Sequence, residues 1–214
     1  MIKMLDAGAY KDLDCSLMAH PGNNAYGAWA RTLASWRANV TWTGSESAQL
    51  MVTDRIHHVI KNTDNLVTNV IPDRVESEWG VRDYWDQNPS FQLAKNYYGN
   101  LIEYFDPSKD ETTSKFSIHT PEEEVEAGGS PSASSDQGNV SWFLPSIQVG
   151  FPIGGSAPKH NPGFTKVAGT DFAFDQAIIT AKALALTGLE VLQNATFAEN
   201  MKKEWEEMFA KLQF

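Results

Sequence analysis

Cysteine is nearly absent from this chain of 214 residues: Cys15 stands alone, so no disulfide can close within it. A reducing, cytoplasmic setting is the expectation that follows. Cys15 is flanked by apolar residues with no basic partner nearby, which argues against a nucleophilic role. Positive charge is also scarce, 17 Lys and Arg against 27 Asp and Glu, and the net charge of -10 disfavours nucleic acid and anionic membranes as partners. No stretch approaches the ~20 apolar residues a membrane span needs. Met1 to Tyr10 carries Asp6 and lacks a long apolar core, which is not a signal-peptide pattern. The Asn-x-Ser/Thr triplets at Asn39, Asn139 and Asn194 would matter only in a secreted chain and are read as chance. No internal repeat is visible, and no His-x-Asp occurs anywhere.

What is present is an ordinary globular composition, 42% apolar and 21% charged. Three zones are expected. The first, 1–38, holds a short helix at Ile2–Leu5, a buried strand at Cys15–Ala19 and a Pro21–Asn24 turn. The second, 39–118, reads as a compact α+β unit. Its strands are expected at Val40–Thr43, Arg55–Ile60 and Asn69–Arg82, and a helix at Phe91–Phe105 with Leu93, Tyr97, Leu101 and Tyr104 at helical spacing. The third opens with an acidic, then Gly/Ser-rich linker at 119–138. Strands near Val140–Phe143 and Ile147–Phe151 follow, then a Gly/Pro-rich loop from Pro152 to Gly163. A long helix, Asp171–Gln193, is apolar around much of its circumference and should be deeply packed. A last helix is expected to start with a capping box at Thr196 and Glu199 and to bury Met201, Trp205, Met208, Phe209 and Leu212.

Several side chains could carry chemistry. His20 ends an apolar strand before Pro21-Gly22, where open α/β sheets bind ligands. His160 sits in the Gly/Pro-rich loop. His57 and His58 point to opposite faces of one strand and cannot share an ion, and His119 lies at the linker. A solvated or satisfied side chain is the simpler reading for each lone histidine. Asp136 reads equally well as a turn residue bonding its own backbone. Glu122-Glu123-Glu124 reads as a solvated linker rather than a catalytic pair. Asn69 and Arg82 bracket an extended run and offer a neutral donor and a planar guanidinium fork, which suit a small carboxylate.

Four runs in order, Met18-Ala19-His20-Pro21-Gly22, Asn69-Val70-Ile71-Pro72-Asp73 through Val81-Arg82, Ser134 to Ser141 and His160-Asn161-Pro162, resemble one family. It is the di-metal aminoacylase and carboxypeptidase family of metallopeptidases, family M-twenty. The nearest branch resembles the aminobenzoyl-glutamate hydrolases and the aminoacylase-1-like amidohydrolases, which Ala181–Leu189 also fits. The resemblance implies an α/β fold: a zinc-aminopeptidase-like three-layer α/β/α catalytic domain, here 1–38 and 119–214, interrupted by a small α+β lid or dimerisation domain, here 39–118. It implies His20 and His160 as ligands of zinc or manganese, and Asn69 and Arg82 as the grip on a substrate carboxylate. Asp136 would be a supporting residue. The implied partners are a carboxylate-bearing amide or dipeptide, and a homo-oligomer or other protein partner.

The chain departs from the family pattern. The family's His-x-Asp ligand segment and its Glu-Glu pair, which holds the general base, correspond to sequence ahead of Met1. The lid lacks its His-Ala-Ala segment and first helix after Gly44. No catalytic residue is therefore nominated. The expectation is a truncated relative of an amide-hydrolysing enzyme, inactive alone; the alternative is a non-catalytic structural or interaction subunit.

Overall fold

Ser16–Gly22 (β1) and Ser146–Pro152 (β6) lie side by side as parallel strands, with Ser16 opposite Ser146, His20 opposite Gly150 and Gly22 opposite Pro152. This is the computed structural model of the chain, and it describes residues 2–23, 25–34, 39–42, 75–78, 85–128 and 134–210, with backbone alone at 2, 39–42 and 75–78. Two compact units are present, Met1–Ala34 with Tyr84–Phe214, and Ser35–Asp83.

In the smaller unit the described parts are strands Asn39–Trp42 (β3) and Val75–Glu78 (β4), paired antiparallel with Asn39 opposite Glu78. The expected strand at Arg55–Ile60 lies outside the described residues. The range 84–118, expected with the lid, falls in the larger unit.

The larger unit is α/β. Parallel strands need a long crossover, and here everything from 23 to 145 lies between β1 and β6. A second parallel pair, Ala25–Tyr26 (β2) with Ser117–Ile118 (β5), and a bridge between Gly27 and Gly150 extend the framework. The core gathers Tyr26, Leu93, Tyr97, Leu101, Ile147 and Met201, all nearly inaccessible. The helix Phe91–Phe105 (α2, after Ile2–Asp6 as α1) supplies Leu93, Tyr97 and Leu101 at its 3.6-residue period.

Pro121–Glu126 (α3) and Gln137–Ser141 (α4) correct two expectations. The acidic run is a short helix rather than a linker, although Glu122 and Glu123 stay exposed: Thr120 Oγ1 accepts the Glu123 amide and Glu123 Oε2 accepts the Thr120 amide, a reciprocal cap with Pro121 at the first helical position. Val140 is in a helix, not a strand, because side chains close the turn. Ser141 Oγ donates to the Gly138 carbonyl at 2.6 Å, and Gln137 Nε2 donates to Ser16 Oγ at 3.1 Å.

Pro162–Ala168 (α5), Asp171–Gln193 (α6) and Ala195–Ala210 (α7) complete the chain order. Helix α6 is not deeply packed all round. Gln176, Thr180, Ala183, Thr187 and Val191 are buried, and Thr187 meets Asn100 of α2 at 3.3 Å. The opposite face leaves Phe174 64% and Leu192 81% exposed. By length and a mean hydropathy of 1.2 this helix could reach across a bilayer, contrary to the sequence expectation. Its buried stripe, which includes Gln176, Thr180 and Thr187, packs against α2. The cap of α7 is Asn194, whose Oδ1 accepts the Phe197 amide at 3.0 Å, two residues before the Thr196 expected for that role. Along α7 Met201 is buried, whereas Phe209 stays 46% exposed.

Candidate functional site

The C-terminal ends of β1 and β6 carry the strongest concentration of expected site residues. His20 faces Gly150 in the strand register, and the chain beyond β6 returns to the same end. There the Asn23 amide donates to the Ala157 carbonyl at 3.1 Å and the Ile153 amide donates to the Gly22 carbonyl at 2.9 Å. These bonds hold the loop bearing Lys159 and His160 beside β1. Both side chains lie within electrostatic range of the His20 imidazole.

His20 Nδ1 lies 2.8 Å from the Pro21 carbonyl. With the proton on Nδ1 that is a hydrogen bond, and Nε2 keeps its lone pair. Burial pushes the His20 pKa below its ordinary value; the Pro21 bond opposes that, and the positive charges of Lys159 and His160 add to it. The neutral ring is therefore favoured. His160 has φ +62°, a left-handed conformation unusual for a side-chain-bearing residue, just before Asn161 caps α5 by accepting the Gly163 amide at 2.8 Å.

The sequence thus led to two imidazoles that the fold does bring to one end of the sheet. A metal centre is another matter. Among the described residues no group of three His, Cys, Asp or Glu side chains gathers where one ion could sit. The neighbour that the electrostatics of His20 adds to His160 is the cation Lys159. A di-metal centre needs several anionic or neutral donors per ion, so these residues do not fit the zinc or manganese pair implied by the resemblance.

Asp136 precedes helix α4, and its two neighbours tie to the strands: Gln137 Nε2 to Ser16 Oγ at 3.1 Å, and Ser135 Oγ to Gln148 Oε1 at 2.8 Å. Gln148 is opposite Met18, two positions before His20. Asn69, Arg82, His57 and His58 lie outside the described residues. Cys15 is half-buried, and burial with the neighbouring Asp14 pushes its thiol up to about 11, in keeping with an inert side chain.

No family model matches the chain. The Xaa-Arg dipeptidase of Homo sapiens is 27% identical over 275 residues, covering 100% of this chain and 60% of the relative. That of Mus musculus is 28% identical over 267 residues, covering 96% and 59%. The similarity is to peptidases. It is distant, and the chain spans about 60% of the length of the relatives it matches. The α/β fold agrees with the expected class.

One functional-looking group was missed by the sequence reading. Glu124 Oε2 accepts the amides of Ala28 at 3.0 Å and Trp29 at 2.7 Å. A Cβ on Gly27 would come within 2.8 Å of Glu124 Oε1, so this glycine lets the carboxylate approach. The only local signal was Thr120-Pro121-x-Glu123, a capping pattern inside what reads as linker. Burial raises the Glu124 pKa; the two amide bonds and His119 oppose the rise, and Glu123 adds to it. The folded state therefore holds a proton over a pH window in which the unfolded chain has released it. Stability should fall as pH rises from the ordinary carboxylate value through the folded one, then level off. Denaturant midpoints measured across that window should decline in the native protein and stay flatter in Glu124→Gln; identical profiles would contradict the assignment.

Proposed function

We propose that this chain is a peptidase-like module of the amidohydrolase branch, built around amide bonds of dipeptides or N-acyl amino acids, and inactive by itself. The observation that carries the reading is the similarity to Xaa-Arg dipeptidases along essentially the whole chain. The convergence of His20 and the His160 loop at the strand ends supports it. His20 and His160 are the donors the chain brings to the scissile end, Asn69 and Arg82 hold the substrate carboxylate, and Asp136 supports the site. Dipeptides with a C-terminal arginine are the substrate class to test first. Inactivity is proposed on the sequence: activating water for attack on an amide needs an oriented base and a full ligand set, and the chain contains no His-x-Asp ligand segment.

A structural-subunit reading is favoured by one observation, the apolar face of α6 formed by Phe174, Ile178, Leu189 and Leu192. Purified chain should give no zinc-dependent hydrolysis of alanyl-arginine above the buffer rate. Turnover that His20→Ala or His160→Ala abolishes would overturn the inactive reading. Turnover unaffected by both would overturn the site assignment as well.

A further inference from the structure

A cavity of about 400 Å³ opens in the larger unit, lined by Trp29, Arg31, His119, Glu123 and Glu124 with two alanines. Small-ligand pockets have this size. None of its lining residues belongs to the His20–His160 locus. Its wall is fixed from behind. The Trp29 indole N–H donates to the Pro89 carbonyl at 3.2 Å, Glu124 clamps the Ala28 and Trp29 amides, and Gly27 exchanges two backbone bonds with Gly150 at 3.2 and 2.8 Å.

The charges around it are unevenly satisfied. Glu122 pairs with Lys95 at 3.0 Å, outside the cavity lining, and Glu123 uses one oxygen on the Thr120 amide at 2.9 Å. Arg31 has no ion-pair or hydrogen-bond partner among the described residues. In a chain of net charge -10, a guanidinium left facing a concavity is a place for a carboxylate. Glu123 and Glu124 on the same lining would repel a simple anion. They favour a ligand that carries a positive charge as well, and Glu123 Oε1 retains acceptor capacity for it. The Trp29 indole offers an apolar and cation-attracting face.

We propose that this cavity binds a small zwitterion, a free α-amino acid with an apolar side chain, its carboxylate on Arg31, its ammonium on Glu123 and its side chain against Trp29. The test follows the Trp29 indole N–H resonance of the ¹⁵N-labelled full chain, assigned with Trp29→Phe, during titration with three probes. These are L-phenylalanine, phenylalaninamide, which lacks the carboxylate, and N-acetylphenylalanine, which lacks the ammonium. L-phenylalanine should shift the resonance saturably, and each blocked probe should bind about tenfold or more weakly through loss of one charge-assisted contact. Arg31→Gln should erase the preference over the amide, and Glu123→Gln the preference over the acetylated probe. Arg31 and Glu123 are exposed, so both variants should keep the parent unfolding midpoint within a few degrees. The proposal is overturned if L-phenylalanine leaves the resonance unmoved, if all three probes bind alike, or if Arg31→Gln preserves the order of affinities. Changing His20 and His160 to alanine should leave these titrations as they were, so the outcome is independent of the peptidase reading.

Discussion

Gly138→Ala should unfold the larger unit or lower its stability by about 3 kcal/mol or more, well above the ordinary range for adding one methyl group. A Cβ at this position would lie 2.0 Å from the Trp85 carbonyl oxygen and 3.0 Å from its carbon, and 3.3 Å from the carbonyl carbon of Asp86. These are backbone atoms, and they cannot rotate away as a side chain could. The 85–90 segment is also tethered at three points close to the clash. The Trp142 indole N–H donates to the Asp86 carbonyl at 2.6 Å, the Asn88 amide to Ser141 Oγ at 2.9 Å, and the Ser90 amide to the Ser146 carbonyl at 2.9 Å. Moving the segment to admit a methyl group breaks at least one of these bonds or disturbs the β6 end of the sheet. Chemical denaturation followed by tryptophan fluorescence reads the loss directly. A midpoint within experimental error of the parent would contradict this packing.

Glu204→Ala is the second large effect, expected at about 2–3 kcal/mol. Glu204, on α7, reaches the N-terminus of α2, where its carboxylate accepts Ser90 Oγ at 2.8 Å and the amides of Phe91 at 3.0 Å and Gln92 at 3.2 Å. These are amides that a helix start leaves without intrahelical partners, and a carboxylate there also meets the positive end of the helix dipole. Charge-assisted bonds of this kind contribute roughly 1.5–3 kcal/mol net where water is partly excluded. Glu204→Gln keeps an acceptor but loses the charge, so it should lose roughly half as much. Equal stabilities for Gln and Ala would show that the charge, not the acceptor, carries the effect. Equal stabilities for Glu and Ala would remove the cap from the account.

Both predictions concern contacts that sequence reading does not reach, and the reason is physical. Helices 91–105 and 171–193 were legible because each extends over several turns, long enough for a 3.6-residue pattern to repeat. The strand of Ile147 and Val149 was legible as a short β-branched run. Helix 137–141 is only five residues long and is set by hydrogen bonds to Ser16 and to its own backbone, so no periodicity could mark it. Glu124 joins Ala28 and Glu204 joins Ser90 across 96 and 114 positions, where local pattern is silent. The exposure of Phe174 and Leu192 was misread for a related reason. Composition gives a helix's apolarity, but only packing says which face is covered.

At the candidate site the order is similar. His20 was placed by a strand-then-turn pattern that the fold reproduces only in its strand: β1 runs on through Pro21 and Gly22, where the turn was expected to begin. His160 was placed by its loop composition, and its φ of +62° adds a conformational signature that sequence does not carry. Lys159 was not singled out, and its positive charge is what sets this locus apart from an ordinary histidine pair.

The most direct measurement is the metal content of the purified full chain after zinc loading and exhaustive dialysis, alongside alanyl-arginine hydrolysis by the same sample. Two histidines that no carboxylate joins among the described residues should leave zinc bound weakly enough to be lost on dialysis, with no turnover, and His20→Ala should change neither result. Retention of two zinc ions per chain with measurable hydrolysis would contradict the account.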